Sequence, residues 1–294
     1  MDIKSFVIAT RVPFVAASIL PVLFTTAYVH EVGIDYFLFI WIILTIFFLH
    51  LGANAMNDFI DWENDGMNEH GSQFNGGTRQ FVEHAIKRQQ FRTITFISLL
   101  IGTMGIIIIT YFRPYAILPG IAGILIAYYY SSPPFSLQSK GLGELGLFFA
   151  FGPLITFGTG YVLTDTLSLD HFLIGIPPGL LTTLILWINE FPDYEADKKT
   201  GKRNLVVRLG LEKSFTVFVL GQLLVYLSIT LLILLDILPF IMFSLFIFMP
   251  LSVYIINQAK ENLTHPKSLV PVQGKMVMLQ NIAVVAMTLL VMFF

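Results

Sequence analysis

Long stretches without charge constrain this chain more than any other feature. Between Arg11 and Glu31, and again between Asp35 and Asp58, no Asp, Glu, Lys or Arg interrupts the sequence. A helix of about 20 apolar residues crosses the hydrocarbon core of a bilayer, and a helix satisfies its own backbone hydrogen bonds there. Nine runs approach that length, at roughly 12–30, 36–56, 93–112, 114–131, 146–164, 172–190, 214–235, 238–257 and 276–294. Only 12% of residues are charged, against about 25% in soluble domains. The expected fold is all-α, a polytopic integral membrane protein with nine transmembrane helices in a single domain over 1–294. Residues 1–11 read as a short polar lead-in to the first span rather than a cleavable signal. Cysteine is absent, which removes disulfides, thiolate metal sites and cysteine nucleophiles.

The basic residues orient the expected spans. Sixteen of the 17 Lys and Arg residues fall on one side of the nine-span topology, and only Arg113 falls on the other. By the positive-inside bias, the N-terminus and the loops carrying those residues are expected on the cytoplasmic side of the cell membrane. The two longest polar connections, 57–92 and 191–213, lie on that side. Loops of this length in a compact protein are usually functional or disordered. Both begin with an acidic cluster, so both read as active-site loops. No nucleic-acid partner is expected.

The first cluster reads N-A-M-N-D-F-I-D-W-E-N-D from Asn54 to Asp65. Asn54, Asn57, Asp58, Asp61 and Asp65 fall within an arc of about 100° on one helical face. Like charges at that spacing repel, and a divalent cation is the simplest compensation; a solvated acidic helix end is the plainer alternative. The second cluster places Asn189, Asp193 and Asp197 at i, i+4 and i+8. Pro192 between them predicts a helix break or a fresh helix start, and Glu195 points away from this face. Hard oxygen donors without Cys or paired His suit Mg²⁺, which takes one or two carboxylates and fills its octahedron with water and phosphate. Two facing clusters with basic residues nearby suggest a diphosphate clamp. Arg79, Lys202 and Arg203 are the cationic candidates, Arg11 is another, and Gly76-Gly77 could admit phosphate to the backbone. His84, His171 and His265 read as loop histidines, His50 as a buried hydrogen-bonded one, and Glu144 as a helix cap.

These residues resemble the UbiA superfamily of membrane prenyltransferases. Asn57, Asp58, Asp61 and Asp65 match N-D-x-x-D-x-x-x-D, and Asp193, Asp197, Gly201 and Lys202 match D-x-x-x-D-x-x-x-G-K. The Tyr130–Glu144 stretch is similar to the family's segment between its fourth and fifth spans, and Gly152-Pro153 and N-G-G-T-R-Q-F-V-E-H from Asn75 to His84 are similar to the branch that prenylates 1,4-dihydroxy-2-naphthoate in menaquinone biosynthesis. That branch shows N-N-x-R-D where this chain has N-E-F-P-D at Asn189–Asp193.

The resemblance implies helices around a central cavity, capped by cytoplasmic loops. It implies Mg²⁺-dependent transfer of a polyprenyl group from polyprenyl diphosphate to an aromatic acceptor. Asn54, Asn57, Asp58, Asp61, Asp65, Asp193 and Asp197 would form the metal shell. Asn189, Arg79, Lys202, Arg203 and Arg11 would bind substrate, and Tyr130 would stand beside the allylic cation. A UbiA-type enzyme acting on 4-hydroxybenzoate or a non-quinone lipid is the nearest alternative. A cation-coupled transporter is a distant one, since intramembrane acids often mark ion pathways.

Overall fold

The computed structural model describes Val7, residues 10–62, Ser72, Phe74 and residues 87–293. Every regular element among the described residues is helical. A 3₁₀ turn at Val12–Val15 leads into α1 (Ala16–Tyr28), and α2 follows at Tyr36–Ile60. Then come α3 (Arg88–Phe112), α4 (Ile117–Tyr129), α5 (Gly143–Phe151) and α6 (Pro153–Thr164). A five-residue helix, α7 (Leu169–Leu173), precedes α8 (Ile176–Thr200). After α9 (Leu205–Leu209) and α10 (Leu211–Leu234), a 3₁₀ stretch at Phe240–Phe248 continues into α11 (Met249–Glu261), and α12 is Pro266–Phe293.

By length and composition, seven of these helical stretches can cross a membrane, rather than the expected nine. Val12–Tyr28 and Pro114–Tyr129 occupy the places of the first and fourth expected spans but are shorter apolar helices. Proline shapes both ends of this difference. Pro13 and Pro114 open 3₁₀ turns ahead of α1 and α4, where a fixed φ and a missing N–H suit a helix start but not a helix interior.

α2 and α3 form the most extensive helix pair, and small residues set how closely they approach. A Cβ at Gly102 would lie 2.6 Å from Leu49 Cδ2, and one at Gly52 would lie 2.8 Å from Leu99 Cδ2. Close backbone approach through small residues is the usual means of tight packing where lipid gives no hydrophobic drive. On the other side of the molecule, α12 packs on α1 and α8, and α8 packs on α10 and α5. The main core lies there, built on Ile188, Phe218, Met276 and Val284, each fully buried. α8 is the best enclosed of the long helices, with 67% of its apolar window buried. The outer faces are equally apolar: Phe96, Ile107, Leu118, Leu223, Phe240 and Ile247 are all exposed. Such a surface is a liability in water and an asset against lipid tails.

Candidate active site

Two helix ends make the site. α2 ends at Ile60 with Asp61 as its C-cap, and α8 carries Asp193 and Asp197 in its last two turns before Gly201. A helix C-terminus already holds about half a negative charge, so carboxylates placed there raise the demand for a cation. The two ends meet at the polar mouth of a cavity of about 380 Å³, whose walls come from α1–α6, α8 and α12. Asn54, Asn57, Asp61, Asn189, Asp193, Asp197, Lys202 and Arg11 all line it, as do Tyr130 and Gln138. Ile42, Ile46, Ile106, Leu147, Leu154 and Ile155 continue the wall as apolar surface.

Asp61 is the hub of the mouth. Its Oδ2 accepts from Lys202 Nζ at 2.8 Å, from Gln138 Nε2 at 2.8 Å and from Asn57 Nδ2 at 3.0 Å. Asn57 Nδ2 also reaches Ser131 Oγ and Gln138 Oε1, at 3.0 and 3.1 Å. Asn54 Nδ2 donates to the Thr10 carbonyl at 3.0 Å, holding the N-terminal segment against α2.

Asp58 stands apart from this group. It is fully buried, takes Arg11 Nη2 at 2.7 Å, and is not part of the cavity wall. Of the expected first-motif set, the structure therefore brings Asn54, Asn57 and Asp61 to the cavity and turns Asp58 toward Arg11. Asp65, Arg79, Gly76-Gly77, the Asn75–His84 stretch and His84 itself lie outside the described residues.

The second cluster reaches the cavity on an unbroken helix. The break predicted at Pro192 is absent: α8 runs continuously from Ile176 to Thr200 with the proline inside it. An interior proline forfeits one hydrogen bond and costs ~3 kcal/mol, and burial of α8 on several sides outweighs this. Four consecutive residues after Gly201 then latch onto four different parts of the site. Lys202 reaches Asp61; the Arg203 N–H donates to the Ser139 carbonyl at 3.0 Å. Asn204 Nδ2 donates to Asp197 Oδ2 at 2.9 Å, and the Leu205 N–H donates to Glu144 Oε1 at 2.7 Å.

The remaining expected residues fall as follows. Arg203 is exposed and contributes no side chain to the cavity wall, because its own backbone is pinned to Ser139. Glu144 stands in the first turn of α5, as expected of a residue that begins a span, but it is buried and its carboxylate also fixes the start of α9. His171 is a buried helical residue stacked edge-on to Tyr28, not a loop histidine. His50 both bonds Ser18 Oγ through Nδ1 at 2.8 Å and lines the cavity. Glu195 is exposed, as its helical position predicts.

Gln138, Ser131 and Asn204 carry no acidic-cluster signature, and sequence reasoning assigned them no role. The sequence signal available for Asn204 was its place as a helix N-cap, where its Oδ1 accepts from the Val207 N–H at 2.8 Å.

The whole arrangement matches a known family. The model of the UbiA prenyltransferase family matches residues 18–279. The chain belongs to the UbiA family. Among characterised relatives, 1,4-dihydroxy-2-naphthoate octaprenyltransferase of Bacillus subtilis is 26% identical over 71% of this chain and 67% of its own length. 2-Carboxy-1,4-naphthoquinone phytyltransferase of Synechocystis is 34% identical over 35% of this chain and 34% of its own, so that match spans about a third of either protein. Among solved structures, a UbiA homologue of Aeropyrum pernix superposes with a TM-score of 0.72 at 15% identity, covering 95% of this chain and 98% of its own. A UbiA homologue of Archaeoglobus fulgidus bound to GPP and Mg²⁺ gives 0.65 at 16% identity, covering 97% and 99%. These superpositions establish the UbiA fold for the chain.

The donor set fits Mg²⁺ by its chemistry. No group of three or more His, Cys, Asp or Glu converges on one point among the described residues, but Mg²⁺ needs only one or two carboxylates when phosphate completes its shell. Asn189 Oδ1, on the cavity wall, is buried without a hydrogen-bond partner. It is a neutral oxygen donor awaiting a ligand beside Asp193.

Proposed function

We propose that this protein transfers a polyprenyl group from polyprenyl diphosphate to an aromatic acceptor, 1,4-dihydroxy-2-naphthoate, in menaquinone biosynthesis. The observation that carries this reading is the pairing of two acidic helix ends at the mouth of an apolar cavity. Asp61, Asp193 and Asp197, with Asn57 and Asn189, would hold Mg²⁺ and the diphosphate. Asp58 would join that shell only on releasing Arg11. Bound Mg²⁺ would supply Lewis-acid stabilisation to the departing diphosphate. Arg11 and Lys202 stand at the mouth with charges that oppose those of the phosphates. The carbon–oxygen bond breaks with its electron pair leaving on the diphosphate, and the allylic carbon bonds to a ring carbon of the acceptor, which gives up the proton, or the carboxylate as CO₂, that it carried. The apolar walls exclude water from that carbon, and the face of Tyr130 is suited to a neighbouring cation. Asp65 and Arg79 complete the site in this reading.

The relatives named as naphthoate prenyltransferases support the acceptor, and the GPP- and Mg²⁺-bound homologue supports the donor and metal. In this reading the two shorter apolar helices, Val12–Tyr28 and Pro114–Tyr129, cross the cell membrane with the seven long ones, and the N-terminus and both active-site loops are cytoplasmic; the basic-residue asymmetry supports this. A second reading, prenylation of 4-hydroxybenzoate or a lipid acceptor, is favoured by Glu190 and Pro192 at the second motif.

Purified protein with Mg²⁺, prenyl diphosphates of several lengths and each acceptor class tests both readings by mass spectrometry. A prenylated naphthoate is the expected product. A product on another acceptor selects the second reading, and no binding or turnover of any prenyl diphosphate overturns both.

A further inference from the structure

Glu190 is an intramembrane acid that the diphosphate site does not account for. It lies on the cavity wall. It stands on α8 three residues from Asp193, about 4.5 Å further along the axis toward the apolar end. Its residue exposure is 7%. Glu144, 2% exposed, stands against it, and the two carboxyl groups are within hydrogen-bonding reach of each other. Oε2 of each is buried without a hydrogen bond from any other side chain or backbone group. Glu144 is held in turn through Oε1 by the Leu205 N–H at 2.7 Å. Among the described residues no Lys or Arg forms an ion pair with either acid: Arg11 is engaged by Asp58 and Lys202 by Asp61, and Arg208 acts on Glu144 only from beyond ion-pair distance.

Burying a carboxyl without a cation is costly, and acids at such depth mark function by default. A diphosphate is repelled by this position. A hydroxyl is not: it can donate to a carboxyl oxygen of Glu190 on the cavity wall, and a buried polar group gains most from a hydrogen bond that would otherwise go unmade. The position is also correct for the second substrate. With diphosphate at Asp193 and Asp197, the reacting carbon points down the cavity toward the level of Glu190.

We propose that Glu190, braced by Glu144, takes a hydrogen bond from a hydroxyl of the prenyl acceptor and so fixes which ring carbon faces the prenyl group. This rests on the prenyl-transfer reading above, and it makes Glu190 a determinant of acceptor specificity. The site then selects hydroxyaryl acceptors through the hydroxyl. An acceptor carboxylate is directed away from α8 toward the basic residues at the mouth.

The test compares wild type with Glu190→Leu and Glu190→Gln. Geranyl diphosphate affinity is measured with Mg²⁺, and turnover is measured on 1,4-dihydroxy-2-naphthoate and 4-hydroxybenzoate, each beside its O-methyl ethers. Wild type is expected to prefer the free hydroxyl. Glu190→Leu should raise the KM for the hydroxyl compound about 10- to 100-fold, the scale of leaving a buried hydroxyl unsatisfied, and erase the preference over the ether. Geranyl diphosphate affinity should stay within about twofold. Glu190→Gln keeps an oxygen acceptor and should fall between.

A merely structural link between α5 and α8 would leave the hydroxyl-to-ether preference intact in both variants, and that result overturns the proposal. If Glu190→Leu does not bind geranyl diphosphate, Glu190→Gln carries the comparison, and an unchanged preference there is equally fatal. Failure of wild type itself to bind geranyl diphosphate would instead refute prenyl transfer, and the proposal with it.

Discussion

Asp58 and Asp61 are one turn apart on α2, yet they do different work. At about 100° per residue, taking Asn54 as zero, Asn57 and Asp61 fall near −60° and −20°, while Asp58 falls near +40°. The cavity meets the first three and misses the fourth. An arc of about 100° was legible in the sequence, but not where the cavity would cut it. The same geometry puts Glu190 near 100° and Asp197 near 80° when Asn189 is zero, so Glu190 shares the cavity-facing arc that i, i+4 counting skips. The two aspartates at the mouth and behind it should separate experimentally. Asp58 is fully buried and Arg11 retains 23% side-chain exposure. Asp58→Asn therefore breaks a partly exposed ion pair and should cost about 2 kcal/mol of stability, below the ~3–5 kcal/mol for a wholly buried pair. Asp193→Asn, at a half-buried cavity position, should leave the thermal midpoint nearly unchanged and lower Mg²⁺-dependent turnover at least ~100-fold, the scale of lost electrostatic stabilisation of a leaving group. Thermal melts and product assays on the two variants check this; the reverse pattern would exchange their roles.

At the scale of elements, the site depends on the short segment between α8 and α9. The sequence marked Gly201 and Lys202 but not why the chain returns to the site. Gly201 ends the helix in the left-handed region, at φ 81°, which lets the chain turn back over the mouth. Asn204 then serves two elements at once, capping α9 and donating to Asp197. Asn204→Ala should lose the cap, about 1 kcal/mol, and also release Asp197. Asn204→Ser keeps a capping oxygen but is too short to reach Asp197. It should recover most of the stability and little of the Mg²⁺-dependent affinity for geranyl diphosphate. Equal recovery of both in Asn204→Ser would show that the bond to Asp197 contributes nothing to binding. Pro192 shows the opposite limit on reading: local propensity predicted a break, and tertiary burial of α8 kept the helix whole. Such an override is not visible in a window of neighbouring residues, because it is made by α5, α10 and α12.

For the whole molecule, the long apolar runs located nearly every helix, since bilayer thickness fixes helix length in advance. It could not show the cavity, whose wall draws on helices far apart in sequence. One wall residue turns that cavity into a measurable length. Gly123 lines the cavity, and a Cβ built there meets nothing within 4 Å. It stands seven residues before Tyr130 on the run of α4, about 10 Å further from the mouth by helical rise. A large side chain at this point would leave the diphosphate site untouched and obstruct only a tail that extends past it. Gly123→Phe should therefore turn over dimethylallyl diphosphate within about threefold of wild type and lose activity steeply as the prenyl chain lengthens. Replacing a helix-interior glycine also favours the helix by up to ~1 kcal/mol, so a general loss of stability is not the expected explanation of a defect. Rates measured across a series of prenyl lengths decide the matter. A uniform loss at every length would place the introduced phenyl ring in the path of the diphosphate, and undiminished rates with the longest chain would mean that the tail leaves the cavity before it reaches α4.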